Sequence, residues 1–485
     1  MAILDTAGYI KVTEDVNDDR LAFLEAVRSA SIVPENGSAP TNTMFEAIFQ
    51  ILKDEDSLEL IMASYQLLIK LDKRFPRVYL SSKGKSELES PSTAPVEVVV
   101  VQEAWSPFSD ACSGREEADK NSGRSLDPVG FHLLIQDLAK VADEAKSEAS
   151  ESKLLRNMLL LQYLVRVLEG DFIPRNSAFK SIISFCNFLC LQIALLAPVE
   201  NTNWPLLRES LLNMLLGSRK IIYKGIIKDC LSVTCEMSQF HTESGDDMRG
   251  PEKASCILNG YGSAIAIALP EVEKCTCTAI QNLLLMIMDL DASKKIADLQ
   301  GLTSRADSVR TLTAEIILDE LTYNIDLLSP FFQVFGEPKW KLEIILQYFR
   351  KYIAKDKDTE RRSDKMPSFC TRRSSGSADD TTFHGILKSF SDSSSTKSII
   401  KKISGEVAQI LLAHAFQAYL SLLSRHSVEG VCGSGEGVQD SSLVEVCKNM
   451  IAAFTCLKRT DVHTEILPLG KEALFTAATI LATKS

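Results

Sequence analysis

The chain has 485 residues, 45% of them hydrophobic and 24% charged, the ordinary balance of a soluble folded protein. Its 53 lysines and arginines face 64 aspartates and glutamates, and the net charge of −11 excludes attraction to nucleic acid by bulk charge. The length exceeds one ordinary compact domain, but helices stacked in a row escape that limit because each buries its apolar face on its neighbours.

In chain order, the start MAILDTAGYIKVTEDVNDD has no basic segment leading into a long apolar run, so no signal peptide is expected. A first helix is predicted over 19–31, behind an Asp-rich cap. Asp56 followed by Glu59 has the spacing of a capping box, with Asp in the Ser/Thr role. It predicts a helix through SLELIMASYQLLIKLDKRF, ended by Pro76. Residues 81–127, rich in Ser, Pro, Gly and charge, are predicted as a flexible loop in which VEVVVV (96–101) is an extended piece. Further helices are predicted near 130–148, 152–169, 177–197, 205–217, 219–237, 270–290, 308–323, 338–355, 396–425, 441–457 and 468–482. Flexible segments are predicted at 238–253, 356–380 and 427–440. Short breaks such as Gly217-Ser218 between helical runs give the rhythm of helical hairpins. The expected fold is all-α. Its predicted architecture is an irregular α-solenoid resembling degenerate armadillo or HEAT repeats, with N-terminal helices over 1–80 and a main body over 128–485. A compact globular all-α fold is the alternative, since no strict repeat period is visible.

The stretch PKWKLEIILQYFRKYI (338–353) carries two apolar stripes at helical spacing. Leu342, Ile345, Leu346, Phe349 and Ile353 form one; Trp340, Ile344, Tyr348 and Tyr352 form the other. A helix apolar over more than half its circumference must be covered from two directions, which reads as a structural helix before a binding one. SIISFCNFLCLQIALLA (181–197) is uncharged but spans only roughly 25 Å as a helix, short of the ~30 Å of a bilayer core. With Ser184, Asn187 and Gln192 in it, it reads as a buried helix and not a membrane span.

Residues that could carry chemistry form no constellation. The histidines at 132, 241, 384, 414, 426 and 463 make no HExxH pattern, and there is no CxxC. Cys275 with Cys277, and Cys186 with Cys190, lack two further nearby ligands, so no metal and no cofactor is expected. The 12 cysteines read as small buried hydrophobes of a reducing compartment, and His414, in QILLAHAFQAYL, as a core histidine. GSGEG (433–437) lacks the Gly-Lys-Ser/Thr of a phosphate loop, and GYGSA (260–264) is not a nucleophile elbow. Asp289 and Asp291 in MDLDASKKIADL lack the glycine and glutamate of a calcium loop. No catalytic residue is assigned.

Two basic features stand out. Arg361, Arg362 and Lys365, with Arg372 and Arg373, have the spacing of a bipartite nuclear import signal in a predicted loop, and the serines at 363, 374 and 375 are phosphorylation candidates beside them. Arg219, Lys220, Lys224 and Lys228 place charge on successive turns of one helix, a face for phosphate or for an acidic partner. For each feature the plainer reading is a solvated surface.

Several long phrases resemble the plant family named negative regulator of systemic acquired resistance. They are DRLAFLEAVRSASIVPENGSAPTN (19–42), TSRADSVRT (303–311), EIILDELTYN (315–324), PKWKLEIILQYFRKYI (338–353), HGILKSFS (384–391) and EILPLGKEALFTA (465–477). The likeness covers most of the chain and weakens near 179–200 and 238–270. It implies a nuclear, non-enzymatic scaffold with an armadillo- or HEAT-like fold, and repression of defence genes. It also implies a DNA damage role as a non-SMC subunit of the structural maintenance of chromosomes 5/6 complex, paired with a second helical subunit like non-SMC element 5. DNA contact would be indirect or weak. The alternative is a direct DNA-binding repressor, for which no recognition helix or zinc module is evident.

Overall fold

The computed structural model describes residues 7–81, 97–101, 104–108, 125–141, 148–190, 225–234, 260–299, 313–323, 325–350, 352–353, 383–429, 436–461 and 465–484. The fold is all-α, with one two-stranded hairpin among the described residues, and it divides into two compact units, Met1–Arg310 and Thr311–Ser485. The predicted import cluster Arg361, Arg362, Lys365, Arg372 and Arg373 lies outside the described residues, as do Arg219, Lys220 and Lys224 and the predicted helix 205–217.

The first unit begins with α1 (Ala7–Ser31), α2 (Asn42–Asp54) and α3 (Leu58–Arg74). The sequence reading missed α2. Its start signal is Thr41, whose hydroxyl accepts from the Met44 amide at 3.3 Å, and its apolar face buries Ile48, Phe49, Ile51 and Leu52. The capping box expected at Asp56 does not form. Ser57 is the N-cap of α3, and the Asp56 carboxylate instead accepts from Arg156 at 2.8 Å. A charge-assisted bond to a guanidinium outcompetes a bond to one neutral amide. Helix α3 stops at Arg74, as Pro76 requires. The Arg74 guanidinium reaches back to the carbonyls of Ile32 (2.7 Å), Pro34 (2.5 Å) and Glu35, bracing the turn after α1. That turn closes tightly, for a Cβ on Gly37 would fall 2.4 Å from the Ser31 carbonyl oxygen.

Strands β1 (Val78–Ser81) and β2 (Glu97–Val100) pair antiparallel with Val78 opposite Val100. The stretch expected as a flexible loop over 81–127 thus contributes an ordered strand. Further on, Phe108 forms an isolated bridge to Leu126. Residues 97–101 of VEVVVV are extended because β-branched residues fit a pleated, half-buried surface.

Helix α4 (Pro128–Val141) leads to α5 (Glu148–Cys190), then to helical residues 225–234 (α6) and to α7 (Gly260–Leu299). The sequence predicted two helices, 152–169 and 177–197; the chain instead runs on as one helix through Pro174. An interior proline removes one backbone bond and presses on the carbonyl four residues earlier. That residue is Gly170, which has open space around it, and the buried ion pair Arg175–Asp171 at 3.2 Å spans the same turn.

Helices α5 and α7 run parallel, joined by a polar ladder. Gln162 donates to the Val272 carbonyl (3.0 Å) and to Thr276 (2.9 Å), and accepts from the Tyr65 hydroxyl of α3 (3.0 Å). Asn282 donates to Glu169, while Asn176 donates to Asp289 and accepts from Ser293. Gln162, Glu169 and Asn176 recur at heptad spacing and so share one helix face. Buried amides satisfied in this way fix the register of the two helices.

The second unit comprises α8 (Thr313–Tyr323), α9 (Ile325–Val334), α10 (Pro338–Arg350), α11 (Phe383–Ser391), α12 (Ser393–Ile403), α13 (Gly405–Glu429), α14 (Glu436–Thr460) and α15 (Pro468–Lys484). The sequence reading missed α9 and α11, both short. Predicted helix 396–425 is two helices. Ser404, at φ 64°, closes α12 with its amide on the Ile400 carbonyl, and its hydroxyl accepts from the Val407 amide to open α13. Helix α10 packs on α8, α11 and α13, so its two stripes are covered from two directions. Ile344, Ile345, Tyr348 and Phe349 are all buried. Helix α13 is apolar nearly all round and, among the described residues, is the one helix long and apolar enough to cross a membrane, over Gly405–Arg425. Its apolar surface is taken up by α9, α10, α12 and α15, the environment of a core helix. In the segment 181–197, the part to Cys190 continues α5 and the remainder lies outside the described residues.

Candidate functional site

Among the described residues, a cavity of about 420 Å³ opens in the first unit, where α2, α3, the hairpin and α5 converge. Its size is that of a pocket for a small molecule or one or two large side chains. Trp105 forms one wall, stacked on Phe45 at 5.6 Å between ring centroids and 7° between planes. Phe49 lies behind, 5.5 Å from Trp105 and 6.1 Å from Tyr163. Phe75 and Tyr79 complete the aromatic lining, and Asp72 and Arg77 are its charged groups.

The electrostatics follow from burial. Desolvation raises the Asp72 carboxyl above its usual range, against the opposing pull of Arg166 (3.7 Å) and Arg77. The Tyr163 hydroxyl is pushed well up, first by burial and then by the Asp72 charge. It is therefore neutral throughout the physiological range and is no base. The cavity offers an aromatic, largely apolar seat with one carboxylate and one guanidinium, the lining of a binding pocket. The sequence reading passed over it. The available signal was AWSPF (104–108), aromatics isolated in a polar stretch, which is the composition of a loop anchored by its side chains.

Of the four predicted basic-face residues, Lys228 alone lies among the described residues, and it is exposed on α6. Beside it, Asp229 meets His132 Nε2 at 2.8 Å, bridging α6 to α4. His384 lies 2.9 Å from Glu445 and 3.3 Å from Asn449, joining α11 to α14. Among the described residues neither histidine has a serine or cysteine as a hydrogen-bond partner. Among the described residues no three His, Cys, Asp or Glu side chains gather as a metal-binding group. Cys230, Cys277 and Cys447 are buried and Cys275 is exposed. Burial lifts the Cys277 thiol to about 11 and that of Cys230 higher still, so both are inert at neutral pH.

His414 is a core residue, as predicted. Its ring lies 5.1 Å from Phe332, and Nε2 is 3.4 Å from the Ser329 hydroxyl. Burial, aided by the nearby Lys341 charge, lowers its pKa from 6.5 to about 3. The folded state therefore holds it neutral, whereas the unfolded chain takes up a proton below about pH 6.5. Its contribution to stability is complete above that pH and declines as pH falls toward 3. Between pH 7 and pH 5 the loss is about 2 kcal/mol, at ~1.4 kcal/mol per pH unit below the unfolded value. The variant His414→Leu is expected to shed that part of the acid sensitivity, read as a smaller difference between urea midpoints at pH 7 and pH 5 than in the wild type.

Comparison with known proteins accounts for nearly the whole sequence. Residues 77–337 match the SNI1 middle domain, and residues 365–485 match the SNI1 C-terminal domain. Part of the aromatic cavity, from Ala39 to Pro76, precedes the first match. No solved structure matches. The Arabidopsis thaliana protein "Negative regulator of systemic acquired resistance SNI1" is 43% identical over 487 aligned residues, covering 100% of this chain and 94% of that protein. Identity of that extent, with two domain matches in the same order, shows that the chain belongs to the SNI1 family.

Proposed function

We propose that the protein is a negative regulator of systemic acquired resistance that works without enzymatic activity, as a nuclear helical scaffold. The observation that carries this reading is the full-length identity with the Arabidopsis regulator. The all-α fold and acidic surface, with titratable groups spent on helix–helix contacts, are consistent with it. The finer reading is a subunit of the structural maintenance of chromosomes 5/6 complex, docked to a second helical subunit and acting in the DNA damage response. Defence genes would then be restrained indirectly, through chromatin.

The test is affinity purification of the intact protein from plant nuclei, with mass spectrometry. The comparison is a variant carrying Arg219→Glu, Lys220→Glu, Lys224→Glu and Lys228→Glu. Stoichiometric recovery of chromosome-maintenance subunits is the expected result, and their loss in the folded variant would locate a contact face. Recovery of none of them sinks the complex-subunit role. Direct DNA binding then becomes the leading reading, to be measured as affinity that falls steeply with salt.

A further inference from the structure

The aromatic cavity of the first unit contains two polar groups that the fold does not use. Every residue lining it is among those described. Tyr163 is only 2% exposed, its ring 6.1 Å from that of Phe49. Among the described residues its hydroxyl has no hydrogen-bond partner. The partly buried Asp72 carboxylate accepts no hydrogen bond there either, for the Arg166 nitrogen beside it stands at 3.7 Å, beyond bonding distance. The charges of Asp72 and Arg77 both act on the Tyr163 hydroxyl, so the three groups gather at one end of the cavity.

Buried hydroxyls and carboxylates in folded proteins are hydrogen-bonded as a rule, because a bond left unmade forfeits the desolvation of the group. An open donor and an open acceptor that line one cavity form a complementary pair for a bound group. Burial keeps the Tyr163 hydroxyl protonated and makes it the donor, and the Asp72 carboxylate is the acceptor. One hydroxyl on a ligand satisfies both, since a hydroxyl donates once and also accepts.

The remaining lining selects the body of the ligand. Phe45, Phe75, Tyr79 and Trp105 present aromatic surface, on which a planar ring packs offset or edge-to-face. A void of roughly 150 Å³ takes a single benzene ring. At about 420 Å³ this cavity has room for two or three fused rings and lies within the size range of small-molecule sites. Its charged lining is one carboxylate and one guanidinium, so an ionic ligand of either sign meets a like charge.

We propose that the cavity binds a neutral, planar aromatic molecule of two or three fused rings, held by a hydroxyl that donates to Asp72 and accepts from Tyr163. The aromatic walls supply affinity, and the two polar groups select hydroxylated molecules over hydrocarbons of the same shape.

The test uses the full-length protein and four probes of similar shape: 2-naphthol, 2-methoxynaphthalene, naphthalene and 2-naphthoate, titrated by calorimetry and ligand-observed nuclear magnetic resonance. Saturable one-to-one binding of 2-naphthol is expected, and its absence overturns the proposal. The methyl ether cannot donate, and naphthalene can neither donate nor accept. Each is expected to bind about tenfold more weakly, the size of one lost hydrogen bond to a charged group. Equal binding of 2-naphthol and naphthalene would make the cavity a plain apolar void. Tighter binding of 2-naphthoate would assign it to an anion, and tighter binding of N-acetyltyrosinamide to a tyrosine side chain of a protein partner. Any of these three results overturns the proposal.

Tyr163→Phe and Asp72→Asn locate the site while keeping the shape of the cavity. Each is expected to weaken 2-naphthol about tenfold and to leave naphthalene unchanged, so the preference for the hydroxyl shrinks. A preference that survives both substitutions places the probe elsewhere and overturns the assignment. Tyr163→Phe has a second readout that needs no ligand. A hydroxyl without a partner adds nothing to the fold, so the urea midpoint is expected to stay the same or rise. A lower midpoint would mean that the hydroxyl is bonded within the chain, which removes the donor and with it the proposed site.

Discussion

Replacing Asp171 by alanine is expected to destabilise the first unit by about 3–5 kcal/mol, the range for breaking a buried ion pair by removing one member. Asp171 and Arg175 are both almost fully buried, and a single carboxylate oxygen accepts from two guanidinium nitrogens at 3.2 Å each. The pair sits at the turn of α5 where Pro174 has removed a backbone bond, so a second bond of the same turn is carried by side chains. The double variant Asp171→Leu with Arg175→Met is expected to recover most of the loss, because apolar residues of similar volume need no desolvation offset. Urea unfolding gives the stability difference, and hydrogen exchange along α5 locates it. Wild-type stability in the single variant would show that packing on α7, and not the ion pair, carries the helix past the proline.

The periodic apolar stripes of α3, α10, α13, α14 and α15 were legible because each repeats over three or more turns and its apolar side is core. The shorter helices were lost for two physical reasons. Helix α2 follows Pro40 and Thr41 in a polar stretch, where the turn residues mask a genuine N-cap. Helices α9 and α11 have ten and nine residues, too few turns for a period to declare itself. The two joins were misread in opposite senses. At Pro174 the local rule predicts a break, but Gly170 and the Asp171–Arg175 pair absorb the distortion. At Ser404 the apolar period runs on unbroken, and one backbone angle splits the helix. The cavity was illegible because its walls come from residues near 39–45, 72–79, 101–107 and 163–167. Convergence of that kind is set by tertiary packing, and no local pattern encodes it. Trp105 was the residue to question: a large aromatic in a Ser- and Pro-rich stretch needs a partner, and Phe45 is that partner.

Phe349→Ala is the second large effect, about 3–5 kcal/mol lost from the second unit, the range for deleting a buried aromatic and leaving a void. The ring is fully buried and meets Phe390 of α11 edge-to-face at 5.1 Å, a geometry that adds to simple area burial. On the neighbouring stripe, the buried Tyr348 donates its hydroxyl to Thr322 of α8 at 3.0 Å. Each stripe of PKWKLEIILQYFRKYI thus has its own partner helix. Trp340 differs: it is partly exposed, with the Lys339 ammonium 5.2 Å from its ring. Truncating it to alanine is expected to cost about 1–3 kcal/mol, less than Phe349→Ala, since a partly exposed ring leaves a smaller void. Hydrogen exchange of α10 and α11, with nuclear partner capture as a second readout, separates structural from binding roles within one helix. A large loss of protection in Phe349→Ala, with a small one in Trp340→Ala, places the helix in the core. Intact exchange in Phe349→Ala would overturn that assignment. Loss of capture by a fully protected Trp340→Ala protein would mean that the exposed end of the helix binds, even though its two stripes hold the unit together.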